Sequence, residues 1–201
     1  MTSAFGGASI DGSAYTDVVD LAGHSPGWLD TAVTTWSAYG LAVFALLMLL
    51  GWWQARRAGA VTAVTALAAP VVVVLAYGVD AVLKLVVRED RPCRNLHMRT
   101  LEACPAPGDR SFPSNHSAIA AATAVALVFV SRRLGAVAAL AALAMAASRA
   151  WVGAHYPHDV AAGVLVGGLA AFAAMILLRR WAQTLARHLS ATVLRPLLAA
   201  P

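Results

Sequence analysis

The chain reads as an all-α integral membrane protein, a bundle of about five transmembrane helices preceded by an N-terminal amphipathic helix. Three observations predict this. Hydrophobic residues make up 60% of the 201 residues and charged residues only 12%, about half the ~25% of soluble domains. Apolar runs of membrane length recur along the chain, separated by short loops that carry arginine. No linker, internal repeat or low-complexity tail divides the sequence, so residues 1–201 form a single membrane-embedded domain, with 1–31 an external segment and 179–201 a cytoplasmic tail. One soluble core of this length would not need so much apolar surface, whereas several membrane spans would.

Taken in order, Ile10, Ala14, Tyr15, Val18, Val19 and Ala22 fall at helical spacing opposite Asp17 and Asp20. Residues 11–23 therefore read as an amphipathic helix lying on the outer leaflet; the alternative is a frayed acidic tail. Ser25-Pro26 starts the next segment. The first span, residues 32–53, is free of charge, and because no basic region precedes it, it does not read as a cleaved signal peptide. The second, 59–87, carries Asp80 and Lys84 in its outer part. The third and fourth, 115–131 and 134–150, fall short of the ~20 residues of a full span, so their polar ends face protein or water. The fifth, 160–178, holds Gly163-x-x-x-Gly167, a spacing that admits a close neighbouring helix. Residues 179–195 read as a basic surface helix ended by Pro196.

The arginines orient the bundle. Residues 1–31 hold four Asp and no Lys or Arg, whereas the 56–57 and 132–133 loops and the C-terminal tail hold eight arginines and no acid. By the positive-inside rule the latter are cytoplasmic, which puts the N-terminus, the 88–113 loop and the 149–159 turn outside. The 88–113 loop alone carries five arginines, and this orientation stands only if they have another role. Cys93 and Cys104, the only cysteines, lie in that loop. An outside location permits oxidation, and a disulfide closing this loop contributes ~3 kcal/mol; two free thiols are the alternative. A net charge of +5 raises nucleic acid as a partner, but these arginines sit between membrane spans, so topology and an anionic substrate account for them.

Polar residues cluster where span ends should avoid them. Lys84, Arg88 and Arg91 are four and three apart and share one helix face up to Pro92, unless Lys84 pairs with Asp80 and the arginines snorkel. Charge within a membrane is costly and marks function, and three cations on one face suit a dianion such as phosphate. Pro113 ends the loop and Ser114 is a good N-cap, so the third helix begins with Asn115 and His116 in its first turn. A helix N-terminus binds anions, and His116 there is placed to donate a proton. In the stretch 148–159, Arg149 sits at the outer end of the fourth span and Pro157 opens the fifth helix. Asp159 lies within its first turn and His155 just ahead. An Asp beside a His fixes its tautomer and makes the other nitrogen a directed nucleophile or base. His158 is a rival for that role.

These three clusters, Lys84-x6-Arg91-Pro92, Pro113-Ser114-Asn115-His116 and Ser148-Arg149-x5-His155-x3-Asp159, resemble the signature of the type 2 phosphatidic acid phosphatase superfamily over residues 84–159. The common second motif of that family has Gly where this chain has Asn115, a residue that tolerates left-handed backbone. The short chain, the acidic external N-terminal segment and the Phe-Pro-Ser-(polar)-His variant look most like bacterial undecaprenyl-diphosphatases of the bacitracin-resistance type. The resemblance implies a hydrolase of the bacterial plasma membrane with its site facing outside, acting on a polyprenyl diphosphate or other lipid phosphate in cell-wall carrier recycling. It further implies that His155 attacks phosphorus and Asp159 orients its ring, while His116 protonates the leaving oxygen and then activates water. Lys84, Arg91, Arg149, Ser114 and the amides around Asn115 and His116 would hold the phosphoryl oxygens, with Arg88, outside the signature, available for a second phosphate. Phosphoryl transfer is mostly positioning and charge stabilisation, which these groups supply, and no Asp/Glu/His cluster reads as a metal cage; neither cofactor nor metal is expected. Vanadium haloperoxidases share the constellation but are soluble. A lipid-binding or transport protein would need the basic pocket but not the His155–Asp159 pair beside a second histidine.

Overall fold

The computed structural model describes residues 8–199; residues 1–7 of the expected external segment and residues 200–201 of the tail lie outside it. All regular structure among the described residues is helical: α1 (Ala8–Gly23), α2 (Gly27–Tyr39), α3 (Leu41–Ala58), α4 (Ala60–Val87), α5 (Pro92–Asn95), α6 (Asn115–Val130), α7 (Arg132–Trp151) and α8 (Pro157–Ser190), closed by a 3-10 turn at Arg195–Leu197. Three segments, containing α4, α7 and α8, are long and apolar enough to cross a membrane, and the bent pair α2–α3 makes a fourth. Of the five spans expected, four are met by these segments and the fifth falls on the shorter apolar helix α6. The remaining helix, α6, has 16 residues and sits at the centre, packed against α3, α4, α7 and α8. Most of its surface is buried protein contact, so it need not match the thickness of the lipid.

Three boundaries differ from those read in the sequence. The first apolar run bends by 56° between α2 and α3. A side chain at Gly40 would collide with the Trp36 carbonyl and the Met145 terminal methyl, so the bend brings α2 tightly against α7. Helix α8 runs unbroken for 34 residues, about 50 Å at 1.5 Å per residue. The basic stretch from residue 179 therefore continues the last span rather than forming a separate helix, because no Gly or Pro interrupts it before Ser190. Helix α1 exists, but its buried Tyr15, Val19 and Ala22 face the protein: Tyr15 packs on Tyr156 with ring centroids 5.4 Å apart and donates its hydroxyl to the Gly153 carbonyl at 2.9 Å. Ile10, counted on the apolar face, is exposed. The helix lies over the 149–159 turn instead of resting on lipid alone.

The contact that matters most for the site is α6 against α8. A Cβ at Gly163 would strike the Ser114 carbonyl, and one at Gly167 the Ala118 carbonyl. The Gly-x-x-x-Gly pair thus lets the start of α8 lie directly on the first turns of α6.

Candidate active site

Helix α4 stops at Val87 because Arg88 adopts left-handed backbone (φ 52°). The reading of Lys84, Arg88 and Arg91 as one helix face is therefore corrected: Lys84 is on the last turn, and Arg91 enters from the loop beyond it. Arg88 is exposed and turns back to donate from Nε to the Leu85 carbonyl at 3.0 Å. The structure does not bring it to the other site residues. Lys84 does not pair with Asp80; its Nζ donates to the Arg110 carbonyl at 3.1 Å, and both Asp80 oxygens lack a hydrogen-bond partner among the described residues.

Arg91 is buried, with Nη1 donating to the Ala154 carbonyl at 2.8 Å and lying 3.3 Å from His155 Nε2. Its Nη2 meets Asp109 Oδ2 at 3.0 Å. Arg149, on the last turn of α7, is likewise buried; Nη1 donates to Ser37 Oγ and meets Glu102 Oε1 at 3.0 Å. Each guanidinium thus holds a carboxylate of the 88–113 loop. Within that loop Cys93 and Cys104 are joined by a disulfide, their Cα atoms 5.9 Å apart.

His155 is 2% exposed. An arginine only donates, so the contact with Arg91 makes Nε2 the acceptor and leaves the proton on Nδ1. That Nδ1 lies 3.4 Å from Ser111 Oγ, which in turn donates to Asp159 Oδ2; the direct Nδ1–Oδ2 distance is 3.6 Å. Burial pushes the imidazole down to about 3, opposed by Asp159 and reinforced by the charges of Arg91 and Arg149. The ring is neutral at pH 7, with a lone pair on Nε2 facing a guanidinium. Asp159 is fixed by also accepting the Tyr156 N–H at 2.9 Å, which caps the start of α8.

Ser114 stands at the N-cap of α6, but its side chain does not cap the helix; its Oγ accepts from Ser117 at 3.0 Å. Its N–H donates to the Asp159 carbonyl at 3.1 Å, which ties the α6 entrance to α8. The first-turn amides of α6 have no intrahelical acceptor, and Asn115 Oδ1 is buried without a hydrogen-bond partner among the described residues. His116 follows Asn115 in the first turn of α6, at this same entrance. His158 is engaged elsewhere. Its Nδ1 is 2.8 Å from Asp11 Oδ1, and its Nε2 is 3.1 Å from Glu89.

Sequence reasoning missed Ser111, Ser37, Glu102 and Asp109, none of which sits at a motif spacing. It also expected no metal-type cluster, whereas Glu89, His158 and Asp159 place ligand atoms within 4.8 Å of one another; only the adjacency of His158 and Asp159 hinted at this.

Residues 65–183 match the model of the PAP2 superfamily, a stretch that contains every side chain just described except Ser37 and Asp11. The undecaprenyl-diphosphatase BcrC of Bacillus subtilis (strain 168) is 30% identical over 153 residues, covering 74% of this chain and 75% of that protein. The bacitracin transport permease protein BcrC of Bacillus licheniformis is 40% identical over 63 residues, 31% of each. No solved structure matches. The family model covers more than half of the chain and the long alignment about three quarters of each protein, and the chain belongs to the PAP2 superfamily.

Proposed function

We propose that this chain is a membrane lipid phosphatase that hydrolyses undecaprenyl diphosphate to undecaprenyl phosphate and phosphate through a phosphohistidine. The observation that carries the reading is His155: a buried, neutral imidazole whose Nε2 faces Arg91 at 3.3 Å while its Nδ1 side is held by Ser111 and Asp159. The terminal phosphoryl group sits among Arg91, Arg149, Lys84 and the first-turn amides of α6. His155 Nε2 attacks phosphorus, the bond to the bridging oxygen breaks, and His116, which takes up a proton once the phosphate anion is bound beside it, delivers that proton to the bridging oxygen. Neutral His116 then takes a proton from water, the oxygen attacks the phosphohistidine, and the N–P bond breaks to regenerate His155 and release phosphate. Charge that a metal often supplies in phosphoryl transfer is supplied here by side-chain cations and helix amides. The similar BcrC of Bacillus subtilis is named for the same diphosphate, which supports the substrate choice.

A lipid monophosphate such as phosphatidate or phosphatidylglycerophosphate is the second reading, and one observation favours it. Arg88, the cation assigned to a second phosphate, is turned toward its own helix. Purified protein tested on both substrate classes with chelator present separates the two. The expected result is turnover of the polyprenyl diphosphate well above phosphatidate, inhibition by vanadate and activity retained in EDTA. Preference for phosphatidate rejects the diphosphate reading, and strict dependence on added magnesium rejects the mechanism.

The site is read as facing outside a bacterial plasma membrane, supported by the acidic N-terminal segment and by the arginines gathered at the opposite helix ends. After reduction, a membrane-impermeant thiol reagent should label Cys93 and Cys104 in intact cells. Labelling only after disruption would invert the orientation.

A further inference from the structure

The geometry points to a divalent-cation site, suited to Zn2+, formed by His158 Nε2, Glu89 and Asp159 Oδ1, with Asp11 holding His158 from behind. This cluster lies on the far side of Asp159 from His155, and the hydrolytic mechanism does not use it.

Several observations converge on it. Asp11 accepts at Oδ1 from His158 Nδ1 at 2.8 Å and at Oδ2 from the His158 backbone N–H at 2.7 Å, so Nδ1 carries a proton and Nε2 is presented to the carboxylates. That nitrogen is 3.1 Å from both oxygens of Glu89 and 3.4 Å from Asp159 Oδ1. A single hydrogen on Nε2 points along one line and satisfies one of these three acceptors well. A cation bound to all of them satisfies the set. Metal–ligand distances of about 2.0–2.1 Å place tetrahedral ligands roughly 3.3–3.4 Å apart, close to the separations of His158 Nε2 from Glu89 and Asp159, and all three ligand atoms lie within 4.8 Å of one another. Glu89 and Asp159 are both fully buried, and Asp159 Oδ1 makes no hydrogen bond among the described residues. The imidazole is also immobilised, stacked at 5.4 Å on Tyr156 and at 6.0 Å on Phe112.

The donor set selects the ion. One imidazole and two carboxylates suit Zn2+ better than the all-oxygen ions Mg2+ and Ca2+, and three protein ligands leave one position for water. A carboxylate behind the ligating histidine, here Asp11, is the usual outer support of a zinc-bound imidazole. Because Asp11 belongs to α1 and Glu89 to the loop after α4, the ion would pin both onto the start of α8.

Asp159 is shared between the two sites. Its Oδ2 supports His155 through Ser111, and a cation on Oδ1 draws negative charge away from that support. Zinc therefore slows turnover. This rate effect rests on the proposed roles of His155 and Asp159, whereas binding itself does not.

The test uses full-length protein in detergent, stripped with chelator and then titrated with ZnCl2 or CoCl2. The expected results are one retained zinc equivalent per chain, a raised Tm, visible Co2+ bands of tetrahedral intensity, and lower turnover with zinc. Glu89→Gln and His158→Gln should each lose the equivalent and the Tm shift. The Co2+ spectrum of the unmodified protein needs no variant, so misfolding of either variant does not spare the proposal. A weak octahedral spectrum, no Tm shift, or full zinc retention by folded variants overturns it, leaving His158 as a protonated latch between Asp11 and Glu89. Zinc bound with turnover unchanged upholds the site and counts instead against Asp159 as the support of His155.

Discussion

His155→Ala lowers turnover of a lipid diphosphate by about 10^4-fold or more, the scale of losing a covalent nucleophile, while the protein still inserts. No neighbour replaces it. His158, three residues on, has both ring nitrogens engaged by Asp11 and Glu89, and its side chain lies on the opposite side of Asp159. His158→Ala therefore keeps activity within about tenfold, its main effect being a looser α1. Rates of both variants on one substrate, with membrane insertion checked by protease protection, decide the matter. An inactive His158→Ala beside an active His155→Ala would reverse the assignment.

Asp159→Asn has the next largest effect, a fall on the order of 10^2 to 10^4 in turnover, as expected when the group fixing a catalytic histidine's tautomer is neutralised. In the proposed mechanism positive charge develops on His155 as it attacks, and the carboxylate that would balance it acts through Ser111. Ser111→Ala alone costs roughly five- to tenfold, the effect of one hydrogen bond of about 1–1.5 kcal/mol. In the Asp159→Asn background the same change costs almost nothing more, because the two residues act in one chain of hydrogen bonds. Near-normal turnover by Asp159→Asn, or simple additivity of the two changes, would sink this arrangement.

The residues at motif spacing were legible because chemistry constrains them locally. Ser114, Asn115 and His116 open a helix, and His155 and Asp159 bracket a turn that Pro157 terminates. The Gly163–Gly167 pair announced a close helix contact through its spacing alone. What stayed hidden depends on tertiary contact or on one backbone angle. Ser111 reaches His155 across 44 residues and Ser37 reaches Arg149 across 112, distances at which no sequence pattern operates. Arg88 was misplaced because a helical wheel assumes that the helix continues, and α4 ends one residue before it. The bend at Gly40 was masked by an apolar run that reads the same bent or straight. Continuation of α8 past residue 178 was masked by its arginines, which mark a membrane boundary but are good helix formers.

Arg91 and Arg149 each already hold a carboxylate, Asp109 and Glu102, both from the 88–113 loop. Under the proposed function, substrate capture is then an exchange of one anion for another rather than the filling of a bare positive hollow. In that exchange the guanidinium groups are never left as isolated buried charges, a state that costs several kcal/mol per ion, because the loop acids would return to the same nitrogens as phosphate departs. The Cys93–Cys104 link closes the stretch that carries Glu102 into a ring, so this acid, once displaced, would have less chain freedom with which to leave Arg149.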